Sequence, residues 1–239
     1  MATYINAVVV NDPYRCGIVI KSSALVSSLG GSCTVKITRK NHNDGKKYDL
    51  ADMLVLSASD LNFEVFDMLV LSGHVYDYNI VVSVGGSQVD NIYLSDIKCE
   101  FHGLFVGNSQ EYYIAQTNFK TETKQNMAVE YVTTLSGKYP FRVSNSNTNY
   151  TTGTSVGLFL ELTTDKKSVV PDDYHAYSNR VLDFLCDGTS KILKTHDGQG
   201  WYVSIDEEPA KVYSEFMGMN ALQFSWTEIG EFPTGLAGV

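Results

Sequence analysis

The residues that could do chemistry are few, and their spacing suits no catalyst. His196 and Asp197 stand together in "THDGQG" as the nearest approach to an acid–base pair. Adjacent residues on a tight turn point apart into solvent, and no partner nucleophile accompanies them. Asp206, Glu207 and Glu208 precede Pro209 as an acidic run. Carboxylates that cleave glycosides are held roughly 5–9 Å apart across a cleft by different strands, whereas these three are consecutive, so a solvated loop is expected.

Metal and cofactor chemistry finds equally little support. The histidines His42, His74, His102, His175 and His196 form neither HxH nor HExxH, and Cys16, Cys33, Cys99 and Cys186 are too widely spread for a CxxC pair. Buried free thiols are the default, with a Cys16–Cys33 bridge left open. No GxSxG, GxxxxGK[ST] or GxGxxG is present. The expectation is therefore a protein with no catalytic, cofactor-binding or metal site, and not an enzyme.

Charge narrows the partners. A formal net charge of −9 disfavours nucleic acid, whose phosphates attract Lys and Arg. The one basic series, "RKNHNDGKK" at 39–47, is interrupted by Asp44 and flanks Asn-Asp-Gly, so it reads as a solvated hairpin tip. The longest apolar stretch, "FEVFDMLVL", contains Glu64 and Asp67 and falls short of the roughly 18 residues of a membrane span. "MATYINAVVVNDPYRC" lacks the basic-then-apolar pattern of a leader, so a soluble protein made in a cytoplasm is expected, and the sequon at Asn149-Tyr150-Thr151 carries little weight.

The elements that would hold these residues are mostly strands. With 239 residues the chain can form one large β domain or two ordinary ones. "SCTVKITRK" sets Cys33, Val35 and Ile37 on one face, and "VYDYNIVVSV" does the same with Tyr76, Tyr78, Ile80 and Val82 before the Gly85-Gly86 turn. "IYLSDIKCEFHGLFV", "EYYIAQTNF" and "MAVEYVTTL" are strand-like, whereas "SNSNTNYTTGT" reads as a polar loop before "VGLFLEL". One helix is predicted at about 172–186. Pro171 suits its first turn, Asp172 and Asp173 oppose its dipole, Tyr174, Tyr177, Val181, Phe184 and Leu185 form its apolar stripe, and Gly188 stops it. "KILKT" and "WYVSID" flank a hairpin turn at "HDGQG", and "ALQFSWTEI" alternates Leu222, Phe224 and Trp226 inward. The tail "GEFPTGLAGV" reads as a loose end or a docking arm.

The fold class predicted is mainly β: two antiparallel β-sandwich-like domains, 1–88 and 89–239, the second carrying the packed helix. "LSGHVYDYNIVV" resembles the penultimate strand of a fibronectin type III or immunoglobulin-like sandwich, with Gly73 three residues before the corner tyrosine, Tyr76. The tryptophan usual in the second strand of fibronectin domains is missing from "CTVKITRK".

"NRVLDFLCDGTSKILKTHDGQGWYVSI", then Pro209 and "FSWTEIGE", resembles a segment recurring in tail and baseplate structural proteins of tailed bacteriophages, of the distal-tail or tail-tip type. The matching positions are Arg180, Leu182, Phe184, Leu185, Asp187, Gly188, Lys191, Leu193, Gly198, Trp201, Val203, Trp226, Glu228, Ile229 and Gly230, within a likeness covering about 90–231. The resemblance implies a virion protein assembled in the host cytoplasm, with copies of itself and other tail proteins as partners, acting in rings around a tail axis. The alternative is a carbohydrate- or receptor-binding module of the tail that takes a host surface glycan through the polar loop 144–153, Tyr150 and a solvent-facing Trp201.

Overall fold

The structure is a computed structural model. It describes residues 4–133, 138–163, 170, 174–213 and 219–233. The chain is 60% strand and 8% helical, so the mainly β class with a single helix holds. It divides into two compact units, the first containing 1–114, 194–200 and 232–239 and the second 115–193 and 201–231.

In the first unit, β1 (Ile5–Asp12), β2 (Gly17–Ala24) and β5 (Glu64–Asp67) form a three-stranded sheet. β4 (Lys47–Val55), β3 (Cys33–Asn41), β6 (Val75–Val84) and β7 (Ser87–Lys98) form a four-stranded one in that order. β8 (Leu104–Gly107) and β9 (Tyr112–Ala115) pair with each other. Alternation decides which faces are dry. Cys33, Val35 and Ile37 of β3 and Tyr76, Tyr78, Ile80 and Val82 of β6 are all buried. Asp90 of β7 ties the two sheets together by accepting the amide hydrogens of Tyr4 and Ile5. Gly85-Gly86, near the expected domain boundary, closes the β6–β7 hairpin, and the compact units divide at 114/115 instead.

The corner tyrosine behaves as the sandwich resemblance implies. The Leu71 amide donates to the Tyr76 hydroxyl at 2.9 Å, and Gly73 adopts φ +79° in the intervening turn.

In the second unit the strand order is β10 (Thr117–Val132), β11 (Phe141–Leu158), β15 (Asn220–Gly230), β13 (Gly200–Ile205), then β12 (Lys191–Thr195). β14 (Ala210–Tyr213) also pairs β15, along Asn220–Gln223, whereas β13 pairs it farther on. α1 runs Tyr174–Leu185 and buries Ser178, Val181, Phe184 and Leu185, and Gly188 follows at φ +75°. The expected helix-start residues Pro171, Asp172 and Asp173, like most of the C-terminal tail, lie outside the described residues. Leu222, Phe224 and Trp226 point inward as their alternation requires.

One expected loop is a strand. Residues 144–153, read as a polar loop, lie within β11, paired to β10 from Val132↔Phe141 to Thr117↔Leu158. Polar side chains are compatible with a strand when they bond across it. Asn126 donates to Thr152 Oγ1 at 2.7 Å, Thr151 donates to Gln125 Oε1 at 3.4 Å, and Gln125 donates to Asn149.

Candidate interaction site

The β10–β11 hairpin outruns its sheet. β15 covers β11 only from Thr152 to Gly157, so Phe141–Thr151 and the facing Gln125–Val132 continue as a two-stranded ribbon. At about 3.3 Å per residue that is a projection of roughly 25 Å. A register shift between Met127 and Ala128 lets the longer strand bulge, which twists the outer half.

The base of this arm is tightly built. Gly153 lies opposite Trp226, and a Cβ there would stand 2.5 Å from the indole, so only glycine lets the ring lie against the strand. The Trp226 indole donates to Ser155 Oγ at 3.0 Å and packs 5.0 Å from the ring of Trp201. Trp201 is therefore buried, at 8% exposure, which overturns its expected role as a solvent-facing sugar platform. Tyr150 is 39% exposed on the ribbon.

Toward the tip the chemistry inverts. Tyr131, Tyr139 and Phe141 are 64%, 71% and 70% exposed, and Met127, Val132 and Val143 are exposed with them. Register sets Val132 opposite Phe141 and Glu130 opposite Val143, which places Val132, Phe141 and Val143 on one face, and Tyr131 faces Arg142 on the other. An isolated two-stranded hairpin is marginal in water, and apolar side chains displayed on one signal contact with something else.

The acidic run lies elsewhere in the same unit. Asp206, Glu207 and Glu208 are exposed in the step from β13 to β14. With Leu185, Cys186, Ile205 and Pro209 they line an open cleft of about 200 Å³. Its potential is negative: burial first, then Asp183, Glu208 and Asp187, push the Cys186 thiol up. Asp187 is engaged locally, where burial opposes its charge but hydrogen bonds from Lys191 and Thr189 hold its carboxyl below the ordinary range. Among the described residues no lysine or arginine forms an ion pair with Asp206, Glu207 or Glu208. Asp206 accepts from Thr227, and the three carboxylates are consecutive on one loop, not opposed across a cleft.

The first unit holds the other titratable clusters. Asp197 accepts from Thr195 and from Gln199 at 3.0 Å, which shapes the turn, while the ring of His196 meets that of His102 at 5.2 Å. His42, Asp77 and Asp96 bring ligand atoms within 4.8 Å of one another, a grouping that sequence spacing hides because three strand regions supply it. Both Asp77 oxygens are engaged, Oδ1 by His42 Nε2 at 2.7 Å and the Asp96 amide at 3.1 Å, Oδ2 by the Tyr93 hydroxyl. The trio clamps the β7 bulge, where Asp96 sits at φ +59°.

Among the described residues three cations are buried: Lys191 of the second unit, whose amine meets Asp187 and Thr189, and Arg39 and Lys194 of the first. Arg39, within the expected solvated basic series, is 2% exposed and donates to both Asp67 oxygens at 2.7 and 2.8 Å. Asp67 also accepts from Tyr78 at 2.9 Å and the Leu69 amide at 3.1 Å. Lys194 is fully buried, and its Nζ donates to the carbonyls of Cys16, Met68 and Val70 at 2.6, 2.5 and 3.1 Å. The rings of Phe101 and Phe105 lie 5.2 and 4.3 Å from it. Burial pulls its pKa down to about 8. A depressed lysine is a nucleophile only where substrate can reach it, and this amine is sealed; its three donors meet three acceptors as a structural staple. Cys16, Cys33 and Cys99 are buried free thiols and Cys186 is exposed, with no disulfide.

Compared with known proteins, the chain matches no protein-family model and no curated protein. Among the described residues no helix is long and apolar enough to cross a membrane.

Proposed function

We propose that the chain is a structural virion subunit of a phage tail tip or baseplate that works by oligomeric assembly. The observation that carries this reading is the projecting hairpin arm, whose exposed Tyr131, Tyr139, Phe141 and Val143 gain nothing in water and are suited to a neighbouring surface. The likeness of 90–231 to tail proteins supplies the phage context, and its matching residues serve packing. Phe184, Leu185 and Leu193 are buried in the core, Gly188 and Gly198 set turns at φ +75° and +86°, and Trp201 and Trp226 pack on each other. The glycan-binding alternative loses Trp201 to the core and rests on Tyr150.

The test is mass and shape in solution. Light scattering coupled to size exclusion, with negative-stain imaging, is expected to find defined oligomers. A variant carrying Tyr131→Ser, Phe141→Ser and Val143→Thr is expected to remain folded and monomeric. A wild-type protein that stays monomeric at high concentration and never enters tail particles refutes the reading, and turnover of cell-wall polysaccharide abolished by Glu208→Gln would replace it with a hydrolase.

A further inference from the structure

The arm and the body that bears it carry opposite charge. Residues 117–158 hold Lys120, Lys124, Lys138 and Arg142 against Glu122 and Glu130, a net of +2 within a chain of −9. The rest of the second unit carries twelve carboxylates against five lysines and arginines. The exposed cations sit where the exposed rings sit. Arg142 lies opposite Tyr131, and the Lys138 ammonium stands 5.4 Å from the ring of Tyr139. An arm of this sign repels another arm, which disfavours a symmetric arm-to-arm dimer.

The complementary surface is present on the same chain. The cleft at the β13–β14 step offers Asp206, Glu207 and Glu208 around an apolar floor of Leu185, Ile205 and Pro209. That is the reverse of the arm tip in sign and its match in apolar character. Resting on the assembly reading above, we propose that the arm of one copy docks into this acidic cleft of the next, with Lys138 and Arg142 meeting Glu207 and Glu208 and Tyr131, on the same face as Arg142, covering the apolar floor. Such a contact joins two different patches and is therefore head-to-tail. Each copy gives an arm and receives one, so the assembly grows by rotation into a ring when the angle closes and into a stack when it does not.

A charge exchange tests it. All four positions are on exposed loop or ribbon, so circular dichroism and thermal unfolding are expected to match wild type in every variant. Lys138→Glu with Arg142→Glu, and separately Glu207→Lys with Glu208→Lys, are each expected to weaken self-association by about tenfold or more, read as the concentration at which light scattering finds half the mass assembled. Raising salt is expected to weaken wild type in the same sense. The fourfold variant is expected to regain assembly, and an equimolar mixture of the two double variants is expected to co-assemble in alternation, because the reversed arm fits the reversed cleft and the native arm of one variant fits the native cleft of the other. If the acidic reversal leaves assembly unchanged, or the fourfold variant fails to recover, the arm docks elsewhere and this inference falls while the assembly reading stands. If wild type never assembles, both fall.

Discussion

The interior of the first unit and the arm of the second treat inconvenient side chains in opposite ways. Arg39, Asp67 and Lys194 are charged groups in a dry core, yet each bonds named partners a few ångströms away, the Arg39 Nε alone among their polar atoms being buried without a hydrogen bond. Tyr131, Tyr139, Phe141 and Val143 are apolar groups exposed on a ribbon, with no cover from the described residues. In the first case the buried charges are held chiefly by groups of the same unit. In the second a covering surface, on the proposed reading, is supplied by another copy. Bonded buried charges fit a scaffold, and apolar exposure on a thin projecting element is where the proposed reading puts a partner.

The contrast breaks most sharply at Asp67. Asp67→Ala leaves the Arg39 guanidinium buried without its carboxylate, and a loss of about 3–5 kcal/mol is expected by chemical denaturation, against a far smaller loss for removal of the exposed Lys36–Asp49 pair. Lys194 gives an intermediate and pH-dependent effect. Its folded pKa of about 8 lies below the ordinary 10.5, so the unfolded chain binds more protons between those values. Its contribution to stability is therefore fully present above the unfolded value and is lost as pH falls through the folded one. Denaturation midpoints of wild type are expected to rise from pH 8 to pH 10 relative to Lys194→Met, in which this dependence is absent. The smallest effect on folding belongs to the arm: Tyr131→Ser is expected to change stability by no more than about 0.5 kcal/mol while oligomer mass collapses, and a large loss of monomer stability instead would make the ring part of the fold.

Local rules read much of this from the sequence. Alternation in β3, β6 and β15 fixed which residues face inward, the 3.6-residue stripe located α1, and Asp197-Gly198 marked the turn between β12 and β13. What stayed hidden depends on partners far along the chain. The polar run 144–153 is a strand because Gln125 and Asn126 stand opposite to bond it. Trp201 is buried because Trp226 and Gly153 make room beside it. Arg39 and Lys194 look like surface cations until Asp67 and the carbonyls of Cys16, Met68 and Val70 are brought against them. The arm was the hardest to see, since a ribbon that leaves its sheet has the same alternation as one that stays within it.

The return of residues 194–200 to the first unit bears on how the molecule is made. As the chain leaves the ribosome, everything up to residue 114 emerges well before the amine that caps three of its carbonyls. Those carbonyls gain their bonds to the Lys194 amine only after residue 194 has been made, so a chain that ends earlier lacks that staple.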